Sequence, residues 1–106
     1  MPAVVYDPDR TPPGSGMHRI MKEVCEQSID RLVSWGESKK TAKDRDVRQA
    51  AEALLAIADE FSALLQYVNT WDQHEPTPEA KKSAINEILR HRDVSIQILK
   101  RHGATL

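Results

Sequence analysis

The chain has 106 residues and a mass of 12.0 kDa, which fits a single domain that can bury a core without covalent cross-links. Its formal net charge of −1 at pH 7 argues against a protein that works wholly by coating nucleic acid. Cys25 is the only cysteine, which excludes an internal disulfide and any zinc site built from cysteines.

The N-terminal residues 1–16 are expected to form an extended arm ahead of a helical domain at 17–106. Six of these sixteen residues are proline or glycine, which disfavour a helix. Val4, Val5 and Tyr6 form a short apolar patch inside the arm. Two interpretations stay open: the arm is a disordered leader, or it docks on the bundle or on a neighbouring subunit.

A first helix is predicted from Met17 to Trp35. Its apolar face recurs at helical spacing. The members of this face are Met17, Ile20, Met21, Val24, Cys25, Ser28, Ile29, Leu32 and Trp35. Gly36 follows where a left-handed residue would end the helix. Because Cys25 lies on the apolar face, it is interpreted as core filler and not as a nucleophile.

A second helix is predicted over 41–72, with Thr41 as its N-cap and a start at Ser38 as the alternative. Two apolar rows run along it at heptad spacing. The first is Val47, Ala51, Leu54, Ala58, Phe61, Leu65 and Val68, and the second is Ala50, Ile57, Leu64 and Trp71. At 1.5 Å per residue this helix would be about 45 Å long and would overhang its neighbours. An apolar arc this broad needs at least two covering helices, so it is predicted to be the central one.

A third helix is predicted over 78–102, with Thr77 as N-cap, Pro78 in the first turn and Gly103 as the residue that ends it. Its predicted core stripe consists of Ile85, Ile88, Leu89, Ile96 and Leu99. A second, weaker apolar row is assigned to the side away from the core; it consists of Ala80, Ala84, His91, Val94 and Ile98. Short connections favour an all-α, up-down-up three-helix bundle around a long central helix.

The surplus apolar surface predicts self-association, most simply as a two-fold homodimer or a higher oligomer. Two neighbouring helices would leave apolar surface exposed at three places. These are the second row of the third helix, the broad arc of the second helix and its overhang. The residues predicted to carry it are Ile57, Leu64, His91, Val94 and Ile98. The alternative is that these are scattered surface residues, which need no partner.

Up-down-up connectivity brings the first loop beside the end of the third helix and gathers a basic pole there. The residues of this basic pole are Lys39, Lys40, Lys43, Arg45, Arg48, Lys100 and Arg101. Such a pole could bind phosphate groups, or it could be only a solvated, solubilising end. No aromatic residue interleaves with these basic residues, so stacking on single-stranded bases is not indicated.

The sequence contains no pattern typical of catalysis or of a bound cofactor. It has no glycine-rich phosphate loop and no nucleophile elbow. Glu87 and His91 could supply two metal ligands on one helix face, but two ligands do not make a site. We therefore expect no enzyme, no cofactor and no metal.

The first hypothesis is a non-enzymatic binding or regulatory protein that acts through helix faces, with itself or another protein as partner. The first residues lack a signal-peptide pattern, and no stretch reaches the roughly 20 apolar residues of a membrane span, so we expect a cytoplasmic protein without membrane contact. The alternative is an anion-binding protein that takes nucleic acid or a nucleotide-like ligand at the basic pole. A third class, an enzyme whose site forms between subunits, stays open.

Overall fold

The computed structural model describes residues 16–106, which fold into three helices. They are α1 (Gly16–Lys39), α2 (Arg45–Asn69) and α3 (Pro78–Arg101), and a 3-10 turn (Thr70–Asp72) follows α2. The described residues contain no strand. The predicted all-α three-helix bundle is therefore confirmed, whereas the prediction for the N-terminal arm falls outside the described residues, apart from Gly16, which begins α1.

Ring contacts at the two ends of the bundle fix the up-down-up connectivity. His18 at the start of α1 lies 4.8 Å from Trp71 just after α2, measured between ring centroids, so α1 and α2 are antiparallel. Trp35 lies 5.7 Å from His102, so the ends of α1 and α3 meet at the other end. Both tryptophans are buried, and they close opposite ends of the core.

The predicted end of the first helix at Gly36 is wrong, because α1 continues to Lys39. Gly103 is the only glycine of the described residues with a positive φ. A Cβ atom at Gly36 would lie 2.6 Å from Leu55 Cγ and 3.2 Å from the Ala51 carbonyl oxygen. Glycine is therefore needed at position 36 for the close approach of α1 and α2, and it does not end the helix.

The second helix is shorter than predicted at both ends. Asp44, not Thr41, is the N-cap, and its Oδ1 accepts a hydrogen bond of 2.8 Å from the backbone N–H of Asp46. α2 has 25 residues, about 37 Å at the helical rise per residue, while α1 and α3 have 24 each. The predicted overhang does not exist, so it no longer supports an additional partner. The unbroken helix at the centre of the chain is confirmed.

The third helix begins and ends as predicted. The Thr77 hydroxyl accepts a 3.2 Å hydrogen bond from Ala80 N–H, and Pro78 occupies the first turn. At the C-terminal end Gly103 has φ +71°, and the N–H of Ala104 donates to the Leu99 carbonyl at 2.9 Å. These contacts form a Schellman motif, which satisfies the last carbonyls of the helix.

The face that α3 turns toward the core agrees with the predicted stripe at Ile88 and Leu99, which are fully buried, and at Ile85, which packs against the core, but not at Leu89. Leu89, assigned to the core stripe, is 46% exposed, whereas Ala84, assigned to the outer side, is 6% exposed. The buried residues of α3 are Lys81, Ala84, Ile88, Ser95 and Leu99. Ser95 satisfies its hydroxyl by donating to the His91 carbonyl at 2.7 Å. Because polar residues occupy part of this stripe, apolar periodicity alone shifts the predicted face toward Leu89.

Candidate interaction surfaces

The structure places the residues of the predicted basic pole around one end of the bundle. Two of these residues already have intrachain partners. Arg48 Nη1 donates to the carbonyls of Ala42 and Lys43 at 2.9 and 3.0 Å, and so holds the loop between α1 and α2. Lys40 forms an ion pair with Glu37. The remaining members are exposed; they are Lys39, Lys43, Arg45, Lys100 and Arg101.

A cleft of about 390 Å³ opens at this end between the start of α2 and the end of α3. Arg101, His102 and Gln49 line it, and all three can donate hydrogen bonds to an anion. Asp46 lines the same cleft, and its carboxylate would repel an anionic ligand. Of the predicted basic pole, Arg101 lines this cleft, and the cleft as a whole has mixed charge.

Four of the five residues predicted for self-association are half-buried within the single chain. Ile57, Leu64 and Ile98 pack against the core. The His91 ring lies 6.0 Å from the Phe61 ring, edge to face, and its Nε2 is 3.6 Å from Glu87 Oε1. Only Val94 is well exposed, at 42%. These four residues are thus partly covered within the single chain, and whether they meet another copy stays a prediction.

The two most exposed large apolar side chains of the described residues lie elsewhere, in a groove between α1 and α3. Ile20 on α1 and Leu89 on α3 are 47% and 46% exposed and line its two walls. The groove has a volume of about 310 Å³. Its other lining residues are Met21, Val24, Gln27, Ser28, Arg92 and Leu106. We call this the α1–α3 groove.

The α1–α3 groove does not follow from apolar periodicity, because Ile20 and Leu89 both fit helical faces that were predicted to be buried. An available signal was the polar stripe of α3: Lys81, Ala84, Ile88, Ser95 and Leu99 keep heptad-like spacing if polar members are admitted. Turning α3 onto that stripe moves Leu89 to the edge of the bundle. Periodicity alone gave no reason to prefer a stripe that contains Lys81 and Ser95.

The C-terminal tail covers one part of the seam between α1 and α3. After Gly103 the chain turns back, and Ala104 and Leu106 pack against the core. Arg31 Nε on α1 donates to the Thr105 carbonyl oxygen at 2.6 Å and holds the tail in place. The seam is therefore closed by this tail at one end and bordered by exposed Ile20 and Leu89 farther along.

The opposite end of the bundle carries a charged cluster around Trp71. Lys81 is nearly buried, and its Nζ lies 2.7 Å from Glu75 Oε1. Lys22 Nζ lies 3.6 Å from Asp72 Oδ2. Burial lowers the pKa of His18, whose ring is tilted against Trp71, and the positive charges of Lys22 and Lys81 lower it further against the opposing effects of Asp72 and Glu75. Asp72 and Glu75 each have a basic partner at this end of the bundle.

The reactive side chains of the described residues do not assemble into a catalytic arrangement. Cys25 is fully buried, and burial raises the pKa of its thiol to about 11, so it is protonated and unreactive in the folded protein at neutral pH. Residues 16–106 contain no group of three His, Cys, Asp or Glu side chains that could hold a metal ion. The expectations of no enzyme and no cofactor stay predictions.

Comparison with known proteins gives no relative on which to base an assignment. No family model, curated protein or solved structure matches the chain. In the part of the chain that the structure describes, each helix is too short or too polar to cross a membrane. Function must therefore be inferred from the surfaces themselves.

Proposed function

We propose that this chain is a non-enzymatic binding protein that acts through its helix faces and associates with itself through the α1–α3 groove. The observation that carries the proposal is the pair Ile20 and Leu89, each about half exposed on facing walls of one groove. Single exposed apolar side chains are ordinary, but apolar side chains grouped in a concave site are typical of interfaces. Val24 and Leu106 extend the apolar lining between them.

Burial of this lining would supply the free energy of association. Each fully covered Leu or Ile side chain contributes on the order of 1.5–3 kcal/mol, and both are already half covered, so about half of that remains for each. The groove is too small to reach high affinity by itself, and flanking contacts must add to it. A reversible dimer of moderate affinity is the expected form. A regulatory role in a reducing, cytoplasmic setting is part of the proposal, and the single buried cysteine is compatible with it.

Sedimentation velocity over a range from micromolar to millimolar protein tests the proposal. We expect the weight-average sedimentation coefficient to rise with concentration, from a 12.0 kDa monomer toward a dimer. A single monomeric species over the whole range would overturn self-association.

A second candidate function is anion binding at the basic pole, and the cleft lined by Arg101, His102 and Gln49 favours it. The test is salt-dependent retention on a heparin column by the full chain and by a variant with Lys39, Lys40, Lys43 and Arg101 changed to Ala. Arg48 is left unchanged because it holds the loop. Retention that falls with salt and is lost in the variant supports this function, whereas retention indifferent to salt contradicts it. Lys82→Ala, outside the pole, is the matched control.

A further inference from the structure

We propose that residues 4–6 of the same chain, Val4, Val5 and Tyr6, dock in the α1–α3 groove and must leave it before a second copy can bind there. Residues 1–15 lie outside the described part of the chain, which they enter at Gly16, the first residue of α1. The docking stands on the shape, lining and reach of the groove, whereas its regulatory consequence rests on the proposed self-association.

The C-terminal tail borders the groove at the end farther from Gly16. Leu106 of this tail lines the groove, and the hydrogen bond from Arg31 to the Thr105 carbonyl oxygen holds the tail beside α1. Ile20, which lies one turn into α1, is 47% exposed at the nearer end. An occupant can therefore enter from the side of Gly16 without displacing the tail.

The length of the groove fits a three-residue extended segment. Its lining along α1 runs from Ile20 to Ser28, eight residues or about 12 Å. Three extended residues cover about 10 Å, and the first and third side chains project to the same side. Val4 and Tyr6 would therefore both face the groove, while Val5 faces solvent.

The lining selects an apolar and aromatic occupant. Val24 and Leu89 offer apolar contact from the two walls, and Arg92 is the charged member of the lining. A guanidinium packs favourably on an aromatic ring, which suits Tyr6. The exposed charges beside the lining have mixed signs, so charge does not choose the occupant; they are Arg19, Glu23 and Asp93.

The tether gives residues 4–6 of the same chain an advantage over a second copy. Residues 7–15, all of them polar, proline or glycine, join Tyr6 to Gly16 and can span up to about 30 Å. Val24, near the middle of the groove, lies only about 12 Å along α1 from Gly16. A segment on so short a tether has an effective concentration in the millimolar range, about 1,000-fold above that of a second copy at micromolar protein.

Occupation by the tethered segment would reduce self-association through the same groove. With a dissociation constant about one quarter of its effective concentration, the segment would fill the groove in about four molecules of five. Only the remaining fifth could accept a second copy, so the apparent affinity of self-association would fall about 5-fold. The segment would thus act as a built-in competitor.

Paramagnetic relaxation enhancement in the full chain tests the docking. A nitroxide is attached at Ala3→Cys; Cys25 stays unlabelled because it is fully buried and its thiol is protonated at neutral pH. We expect the strongest broadening at the backbone amides of Ile20, Val24 and Leu89. Broadening at these amides no stronger than at Glu60, on the exposed face of α2, would overturn the docking.

Two controls identify the contact and the chain that makes it. Tyr6→Asp should remove most of the broadening at Leu89, and the matched control Val5→Asp should keep it, because only Tyr6 faces the groove. A mixture of nitroxide-bearing ¹⁴N chains and ¹⁵N chains without nitroxide should show no broadening in the groove at micromolar protein. Broadening found only in the mixture would place the segment in another copy and overturn the inference.

Sedimentation velocity of the same full-length variants tests the regulatory consequence. Tyr6→Asp should self-associate about 5-fold more tightly than the wild type, and Val5→Asp should behave as the wild type. Unchanged affinity in Tyr6→Asp would overturn the regulation. Broadening in the groove together with a monomer at every concentration, in both the wild type and Tyr6→Asp, would defeat the proposed function and leave the docking standing. Circular dichroism should show the same helix content for all variants.

Discussion

The contact between α1 and α2 and the contact of α3 with that hairpin are built on different principles. Small residues at the first contact, Gly36 and Ala51 among them, let two apolar faces approach closely. α3 instead offers a stripe that includes Lys81 and Ser95, and it shares much less surface with α1 than α2 does. Close apolar packing gains both dispersion energy and hydrophobic free energy. The interactions of Lys81 and Ser95 in α3 mainly compensate for the cost of burying their polar groups.

The difference explains where the molecule leaves apolar surface uncovered. α1 and α2 bury most of what they can bury against each other. Because α3 packs on its mixed stripe, it keeps Leu89 at the edge, where it faces Ile20 across the α1–α3 groove. The surface available for a partner is thus a consequence of the weaker of the two contacts.

The largest expected effect comes from removing a buried side chain at the tight contact. Leu32→Ala should lower the free energy of unfolding by about 3–4 kcal/mol, because rigid surroundings leave a cavity. Ile88→Ala in α3 should cost less, about 2 kcal/mol, because the looser site can collapse. Urea unfolding followed by circular dichroism measures both, and Val33→Ala is the exposed control. An Ile88→Ala cost equal to or above that of Leu32→Ala would contradict the comparison.

Native-state hydrogen exchange should show the same order within the unmodified chain. We expect the most protected amides of α3 to open with free energies about 1–2 kcal/mol below those of the most protected amides of α1 and α2. The physical reason is that α3 can detach while the hairpin keeps its own core. Uniform protection over all three helices would show that the bundle opens only as one unit.

A smaller effect is expected at the close approach of α1 and α2. Gly36→Ala should destabilise by about 1 kcal/mol, because the clash with Leu55 outweighs the gain in helix propensity. In a Leu55→Ala background the same change should be neutral or stabilising, since the clashing atoms are gone. A double-mutant cycle by urea unfolding measures the coupling, and Ala53→Gly on the exposed face of α2 calibrates propensity. Additive effects would show that the contact is not tight.

The smallest effect concerns pH at the charged cluster around Trp71. The pKa of His18 is lowered in the folded protein, so the unfolded chain binds its proton more readily. The contribution of neutral His18 to the free energy of unfolding is fully present above its unfolded pKa of about 6.5. It is lost as the pH falls from there toward the pKa of His18 in the folded protein. The urea midpoint of the wild type should fall over this range more than that of His18→Gln, with His74→Gln as the exposed control. Equal pH dependence in wild type and His18→Gln would refute this.

The candidate surfaces were predictable from sequence only in part. The basic pole follows from connectivity, since up-down-up order must bring the first loop beside the end of α3. The α1–α3 groove does not follow from the sequence, because Ile20 and Leu89 fit an apolar helical face as well as core residues do. Their exposure depends on how far α3 is rotated about its own axis, and that rotation is set by contacts such as His91 on Phe61.

The sequence by itself determined the number of helices, their order and the caps of α3, because these depend on local periodicity and on residues such as Thr77, Pro78 and Gly103 that act through their own backbone. Only the tertiary structure decided where α1 ends and which face of α3 is buried. Gly36 lies within α1 and packs against α2, and local sequence patterns carry no information about a neighbouring helix. The same holds for Lys81, whose burial beside Glu75 requires a partner held six residues away in the folded turn.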